Sequence, residues 1–266
     1  MLVEQIFINN PLANFNYLVA CPDTGAALAL DPLDPERLHT LAKARGWRIE
    51  AIVNTHAHWD HTEGNLALKA LTGAQVYAHA QAKDSIPGFD QGLKGGDILP
   101  MGGLQFNILD TPGHTATHLC LFQGGERPAL FSGDTLFNAG AGNCGNGGDP
   151  GTLYESFAAH IAPLMDDVLL YPGHDYAARN LAFTLSIEAD NRDAQSLLEE
   201  VEALNAKGQH LLSTLGTERK VNAFLRLNER GVTQGLEARE LNHPLETAKG
   251  RFIALRGLSF RNRDRS

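Results

Sequence analysis

The stretch "THAHWDH", residues 55–61, places three histidines and one aspartate within seven positions of a chain that has only 11 histidines in 266 residues. His56 and His58 are two positions apart, so in an extended turn both imidazoles can point towards one ion. Asp60 and His61 follow at once, and a turn there could aim them at a second ion beside the first. Imidazole and carboxylate groups together suit zinc, iron(II) or manganese, and the lack of a cysteine in the stretch removes any preference for structural zinc. The stretch therefore predicts a catalytic metal site.

Three further ligand candidates follow, each at the end of an apolar strand pattern. "FNILDTPGHT" presents His114, "ALFSGDT" presents Asp134 and "VLLYPGHD" presents His174. A glycine precedes each of them, which frees the backbone to turn and lets a neighbouring group approach closely. One catalytic zinc or iron takes about three protein ligands and water, so the whole set is too large for one ion and suits two. The sequence predicts a binuclear centre with one bridging carboxylate and seven ligands: His56, His58, Asp60, His61, His114, Asp134 and His174.

The other histidines carry less information. His118 lies four residues after His114 and begins a strand pattern, so we expect it at most to support a ligand. Any later histidine taken alone is better explained as a buried or loop histidine, and only the combination with residues 55–61 predicts the site. Five histidines have no partner spacing and are expected to be ordinary: His39, His79, His160, His210 and His243.

The pattern of elements changes near residue 176. Before it, short apolar strand patterns such as "IEAIVNT" alternate with helical patterns and glycine-rich loops. After it, only helical patterns follow. Strands mixed with helices, and then helices alone, predict an α/β catalytic domain with a smaller helical domain attached. We place the catalytic domain at residues 1–178 and the helical domain at residues 179–266.

Composition and charge exclude several classes of protein. No stretch approaches the roughly 18 uninterrupted apolar residues of a membrane span, and the amino terminus lacks a basic region followed by an apolar run. The three cysteines, Cys21, Cys120 and Cys144, are widely separated, which argues for a reducing compartment. A formal charge of −9 argues against binding along a nucleic acid backbone. We expect a cytoplasmic protein that acts on a small molecule, with no nucleic acid or membrane partner, and the oligomeric state stays open.

The charge is uneven near the carboxyl terminus. "KGRFIALRGLSFRNRDRS", residues 249–266, carries six cations against Asp264 alone. For its last few residues we expect a solvated basic tail. The alternative for its first part is that Lys249 and Arg256 fold back to hold an anionic substrate.

The motifs "THAHWDH", "TPGHT", "SGDTLF" and "YPGHDY", in this order, resemble the metallo-β-lactamase superfamily. The resemblance covers roughly residues 1–180. It implies an α+β fold, a four-layer αββα metallo-β-lactamase sandwich with the metals at one edge, followed here by a small C-terminal helical domain. Within the superfamily, "THAHWDHTEGN", "NYLVA" and Asp31-Pro32 look most like the glyoxalase II group, the hydroxyacylglutathione hydrolases. "ERKVNAFLR" is similar to a segment of that group's helical domain, with Ala223 in place of the usual proline.

The resemblance also implies roles for individual residues. It assigns the first metal to His56, His58 and His114, the second to Asp60, His61 and His174, and the bridge to Asp134. Two divalent ions follow, with zinc expected first and iron or manganese as alternatives. Asp60 and Asp134 would tune the acidity of the water, and Tyr176 would contact the glutathione moiety.

One region departs from the family. After "SGDTLF" the group usually supplies a basic and an aromatic residue to glutathione, but here "NAGAGNCGNGGDP", residues 138–150, places Asn143, Cys144 and Gly145 in that region. The expected cation is absent. We therefore take Asn143, Arg256 and Lys249, together with Tyr176, as the candidate substrate contacts.

The function that best fits these metal ligands and substrate contacts is hydrolysis of a hydroxyacylglutathione-like acyl thioester by attack of a metal-bound hydroxide. A mononuclear non-haem iron persulfide dioxygenase and a lactonase of the same superfamily are the enzymatic alternatives. About 90 residues follow His174, and this length favours the hydrolase over the dioxygenase. A metal-binding protein that has lost catalysis is the alternative from another class, and the intact ligand set argues against it.

Overall fold

The first of two six-stranded sheets is built from the N-terminal third of the chain. The computed structural model describes residues 1–239, 241 and 243–261. In the sheet, strands lie in chain order, the first three antiparallel and the rest parallel. Its strands are β1 (Leu2–Phe7), β2 (Phe15–Ala20), β3 (Ala26–Leu30), β4 (Arg48–Val53), β5 (Gln75–His79) and β6 (Phe89–Leu93).

The second sheet has the order β14-β13-β10-β9-β8-β7. Only the β10–β13 pair is parallel among the pairs of this sheet. Beside it, β11 and β12 form a separate two-stranded hairpin. The strands are β7 (Ile98–Met101), β8 (Leu104–Asp110), β9 (Leu119–Gln123), β10 (Ala129–Gly133), β11 (Leu136–Phe137), β12 (Gly140–Ala141), β13 (Leu169–Pro172) and β14 (Ser213–Thr214).

Helices cover the outer faces of both sheets. The first of them follows its sequence signals closely: the side chain of Asp34 accepts a hydrogen bond from Arg37 N, Pro35 opens the helix, and Gly46 ends it with a φ of 70°. A π-helical turn, Phe157–Ile161, continues the fourth helix. These helices are α1 (Pro35–Arg45), α2 (Trp59–Thr62), α3 (Asn65–Thr72) and α4 (Pro150–Ser156).

Three layers of buried apolar side chains join these elements. Tyr17 of the first sheet packs with Phe106 and Phe131 of the second, and none of the three is more than 1% exposed. A second cluster lies between the first sheet and helices α1 and α3, and a third lies between the second sheet and the helices that follow it. The predicted four-layer αββα sandwich is confirmed.

The C-terminal part is mainly helical. The segment "ERKVNAFLR" does not form one continuous helix, because the side chain of Asn222 accepts a hydrogen bond from Phe224 N and starts a short 3-10 turn. A helix-only pattern was expected here, but β14 adds a strand to the second sheet, so this expectation was wrong at that point. The helices are α5 (Ala177–Ile187), α6 (Arg192–Asn205), α7 (Leu215–Val221), α8 (Arg230–Glu237) and α9 (Ala248–Arg261). The domain boundary after residue 178 stays a prediction, and α5 runs across it.

The basic C-terminal segment is helical over most of its length. Phe252 and Leu255 of α9 are fully buried against α4 and the second sheet, so this part is not a solvated tail. The expected tail, residues 262–266, lies outside the described residues. Across residues 1–239, 241 and 243–261, no helix combines the length and apolar character that crossing a membrane requires.

Candidate metal centre

Loops at the ends of four strands bring the predicted ligands together. The stretch 55–61 follows β4, His114 follows β8, Asp134 comes directly after β10, and His174 follows β13. All of the seven ligand candidates are buried except His58, which is half-buried. Their ligand atoms lie close together in three sets: a first group of His56, His58 and His114, a second group of Asp60, His61 and His174, and a linking set of His56, His61 and Asp134.

Three ring nitrogens face one another in the first group. His56 Nε2 and His58 Nδ1 are 2.9 Å apart, and His114 Nε2 lies 3.0 Å from His58 Nδ1. His114 Nε2 is also 3.3 Å from His56 Nε2. Three neutral imidazoles cannot all satisfy one another as donors and acceptors in this arrangement. A cation between the nitrogens would satisfy all three.

The second group has two ring nitrogens and one carboxylate. His61 Nε2 lies 3.1 Å from His174 Nε2. Asp60 Oδ2 is 3.5 Å from each of these two nitrogens. Imidazole with carboxylate is a donor set that suits zinc, iron and manganese.

Asp134 lies between the two groups. Its Oδ2 is 3.5 Å from His114 Nε2 and 3.3 Å from His174 Nε2, and its Oδ1 is 3.5 Å from His61 Nε2. Among the described residues, this buried Oδ1 has no hydrogen-bond partner. A buried carboxylate oxygen without a donor is costly unless a cation neutralises it. The residues present therefore fit two divalent cations with a shared carboxylate.

The opposite nitrogen of each buried ring is also bonded. His61 Nδ1 lies 2.9 Å from Asp31 Oδ2, and His56 Nδ1 lies 3.0 Å from Thr55 Oγ1. The second nitrogens of His114 and His174 are bonded to backbone carbonyls. Such outer bonds fix the tautomer and the direction of each ring.

Sequence reasoning missed two of these supporting groups. Asp31 also accepts from the backbone N–H and the hydroxyl of Thr55, both at 2.8 Å. Asn14 Nδ2 donates to Asp60 Oδ2 at 2.9 Å. Asp31 was noted only as part of the Asp31-Pro32 pair at the end of a strand pattern, without a role at the metal centre, whereas Asn14 gave no sequence signal.

The buried rings differ in their affinity for protons. Burial lowers the pKa of His114 to about 4, and burial also lowers that of His56. Burial alone would lower the pKa of His61, but the carboxylates of Asp134 and Asp31 outweigh it and raise that pKa to about 9. A histidine binds a metal through a deprotonated nitrogen, so metal binding at His61 releases a proton. For Asp134, burial would raise the pKa, but the adjacent His174 and His61 hold it well below its ordinary value.

A cavity of about 230 Å³ opens onto these groups. Three aromatic side chains, those of Trp59, Phe137 and Tyr176, form part of its wall, together with Leu12. Trp59 is 61% exposed, although it lies between buried ligand candidates. Asn143 and Asn146 supply the uncharged polar lining.

Comparisons with known proteins give the family. The model for the "Metallo-beta-lactamase superfamily" matches residues 10–174, and the one for the "Hydroxyacylglutathione hydrolase C-terminus" matches residues 175–258. A hydroxyacylglutathione hydrolase of Nitrosococcus oceani is 52% identical over 229 residues, which is 86% of this chain and 87% of the relative. The chain belongs to the hydroxyacylglutathione hydrolase family.

Solved structures agree on the fold. ETHE1 from Myxococcus xanthus superposes with a TM-score of 0.68 over 97% of this chain and all of that one, at 23% identity. At this identity the likeness shows the fold alone. TTHA1623, solved in a di-iron-bound form, superposes with a TM-score of 0.60 at 25% identity, over 84% of this chain and 100% of the other.

The structure brings two of the four predicted substrate contacts of this family member to the cavity. Tyr176 and Asn143 line it, and the Tyr176 ring stacks on His174 with centroids 4.9 Å apart and planes 2° apart. Lys249 and Arg256 are not part of the lining. Lys249 Nζ pairs with Glu155 Oε1 at 2.7 Å. Roles of these residues in substrate binding stay predictions.

Arg256 belongs to a set of contacts through which the helical part holds the β11–β12 hairpin. Its buried guanidinium donates from Nη1 to the carbonyl oxygens of Ala141 and Gly142. Glu218 Oε2 accepts from Ala139 N at 2.7 Å, and Asn222 Nδ2 donates to Gly140 O at 3.0 Å. The hairpin connects Asp134 to Asn143, so the C-terminal helices fix the backbone beside the metal centre.

Arg179 is a cation near the cavity that sequence reasoning missed. It is exposed on the first turn of α5, and its Cζ lies 4.0 Å from the centroid of the Tyr176 ring. Its position three residues after Tyr176, on a helical pattern, was the signal that could have found it.

Proposed function

We propose that this protein hydrolyses the thioester of a hydroxyacylglutathione-like substrate in the cavity beside Asp134. The observation that carries the proposal is the position of Asp134, whose two carboxylate oxygens reach both groups of ring nitrogens at the base of the cavity. The family of the chain supplies the substrate class.

The proposed centre holds two divalent cations. His56, His58 and His114 form the first ligand set, and Asp60, His61 and His174 form the second. Asp134 would be shared by both sets, since its oxygens lie 3.3–3.5 Å from nitrogens of each. We expect zinc first, with iron or manganese as alternatives. Iron is a specific alternative because TTHA1623 was solved in a di-iron-bound form. When bound, such a pair of cations makes water more acidic and polarises a carbonyl oxygen.

The residues of the chain supply orientation and charge. Asp134 stays ionised because the adjacent His174 and His61 keep its pKa low. Asn14 Nδ2 donates to Asp60 Oδ2 at 2.9 Å, and this hydrogen bond fixes the direction of the Asp60 carboxylate. The aromatic side chains of Trp59, Phe137 and Tyr176 give the cavity an apolar wall against which the substrate can pack.

The thiol carrier would extend away from the centre past Tyr176. A peptide residue spans about 3.3–3.6 Å, so the two carboxylates of a tripeptide thiol lie roughly 7–10 Å from its sulfur. Arg179 lies over the Tyr176 ring, which itself stacks on His174, so its guanidinium would attract a carboxylate of a carrier that runs past Tyr176. Asn143 and Asn146 would bond peptide groups of the carrier.

The persulfide dioxygenase is less supported than the hydrolase. The ligand candidates form two groups with Asp134 between them, whereas a mononuclear site needs one group. The match of residues 175–258 to the hydrolase C-terminus favours the same conclusion.

The first test compares two thioesters of the same acyl group. Metal-loaded protein should hydrolyse S-D-lactoylglutathione with a kcat/KM roughly tenfold or more above that for D-lactoyl-N-acetylcysteamine. The reason is that only the glutathione thioester carries carboxylates, which Arg179 beside the cavity can attract. Chelator-treated protein serves as the blank. No turnover of either thioester would reject the proposal, and turnover of a lactone or a glutathione persulfide instead would favour the corresponding alternative.

Two cation variants test how the anionic carrier is held. Arg179→Ala should raise KM for S-D-lactoylglutathione roughly fivefold with little change in kcat, since an exposed charge pair contributes up to about 1 kcal/mol. Lys249→Ala is the matched control and should change KM less than about twofold, because its ammonium already pairs with Glu155. A larger effect for Lys249→Ala than for Arg179→Ala would reverse these assignments and favour the role predicted for Lys249 from the sequence.

A further inference from the structure

His118 contacts two proposed ligands without belonging to either ligand group. Its side chain is fully buried at the start of the segment leading into β9. Its Nε2 lies 3.1 Å from the backbone nitrogen of Asp134, which donates the hydrogen bond. Its ring also stacks on the ring of His56, with centroids 5.0 Å apart and planes 22° apart.

The hydrogen bonds define one tautomer of this ring. A nitrogen that accepts from a backbone N–H carries no proton, so the proton of neutral His118 is on Nδ1. Nδ1 lies 3.0 Å from Thr111 Oγ1 and 3.1 Å from Thr135 Oγ1, and it donates to a threonine hydroxyl. Both ring nitrogens are therefore used within the protein, and neither is available to a metal or a substrate.

The bond to Asp134 acts at the point where the chain turns into the metal centre. Gly133, which precedes Asp134, has a φ of 47°, and the peptide that follows it points its N–H at His118. A buried N–H that loses its acceptor is strongly unfavourable. The peptide would then move to find another partner, and the carboxylate of Asp134 would move with it.

We propose that His118 is a positioning residue of the metal centre, which orients Asp134 through its backbone N–H and His56 through its ring face. This rests on the proposed metal ligation by Asp134 and His56. The competing explanation is that His118 only fills space in the core. Space filling needs the volume of the side chain, whereas positioning needs an acceptor at the place of Nε2.

Two amide variants separate these explanations. In glutamine, Oε1 is as many bonds from Cβ as Nε2 is in histidine, so His118→Gln can still accept from Asp134 N–H. In His118→Asn, the amide reaches only the place of Nδ1 and can bond Thr111 or Thr135, but it leaves the N–H of Asp134 without an acceptor. The readout is Zn²⁺ affinity measured by competition with a chromophoric chelator, together with bound zinc per chain and the thermal midpoint of the chelator-treated protein.

His118→Asn should bind Zn²⁺ about 10- to 100-fold more weakly than the unchanged protein, as for other losses of a supporting bond to a metal ligand. His118→Gln should stay within about threefold of the unchanged protein. Equal zinc affinities of the two variants would overturn the proposal, whether both match the unchanged protein or both lose zinc along with a lower thermal midpoint. Because the readout is zinc affinity, it is independent of the thioester, and a failure of the proposed substrate would leave this result intact.

Discussion

Replacing Asp134 with alanine is expected to lower turnover of S-D-lactoylglutathione at least roughly 1000-fold, since a pair of cations contributes several kcal/mol to stabilising the transition state. The physical reason is that the two oxygens of Asp134 reach His61 on one side and His114 and His174 on the other. Without this carboxylate, the two ligand groups have no anionic ligand in common. Bound metal per chain should fall together with turnover, as measured by elemental analysis after gel filtration.

Asp134→Asn is the matched variant for this test. It keeps the shape of the side chain and removes its negative charge, so it should retain more metal than Asp134→Ala and still be strongly impaired. Asp84→Ala, at an exposed position, should match the unchanged protein in both measurements. Full activity of Asp134→Ala with two bound metals would contradict the bridging role.

Gly173→Ala is expected to lower turnover roughly 100-fold, because misplacing a catalytic group by about 1 Å can cost that much. A Cβ at this position would lie 2.3 Å from Asp134 Oδ1 and 2.9 Å from His61 Cε1. The methyl group would therefore push the shared carboxylate away from the ligand nitrogens. The overpacked site should also lower the free energy of unfolding by about 1–3 kcal/mol.

Gly257→Ala is the control for this second variant. Gly257 lies in α9, and an added Cβ would meet nothing within 4 Å. In a helix interior, alanine in place of glycine stabilises the folded protein by about 0.5–1 kcal/mol, so this variant should gain thermal stability. It should keep full activity because the added Cβ displaces nothing. Thermal midpoints of the chelator-treated proteins separate damage to the fold from damage to metal binding. Normal zinc content and normal turnover in Gly173→Ala would contradict the prediction, because the site would then accommodate the methyl group without displacing Asp134.

Several elements were not predicted from the sequence patterns, for local reasons. The strand β6 reads "FDQGL" and exposes its middle residues, and β7 contains a proline, so neither shows a strong apolar pattern. The strand β14 has only two residues. For α9, the cations in the sequence suggested that Lys249 and Arg256 fold back towards a substrate, whereas the burial of Phe252 and Leu255 against α4 makes this helix part of the core.

The sequence by itself indicated the candidate ligands and the order of a mixed α/β part followed by helices, while its family resemblance implied the four-layer sandwich. Apolar strand patterns, each followed by glycine and then a histidine or aspartate, are local signals, and ligand chemistry depends on residue type. The convergence of His56, His114, Asp134 and His174 could therefore be predicted before any coordinate was known.

Only the tertiary structure decided which other groups support the metal centre and which arginine side chains lie near its cavity. Asp31 and His118 reach their partners through contacts between separate strands, and no local period encodes such pairs. Arg256 carries the charge expected of a substrate contact, but its helix packs so that the guanidinium bonds the carbonyls of the hairpin, while Arg179 stacks beside the cavity. The direction of a long side chain is set by the surfaces that enclose it, and those surfaces exist only after the chain has folded.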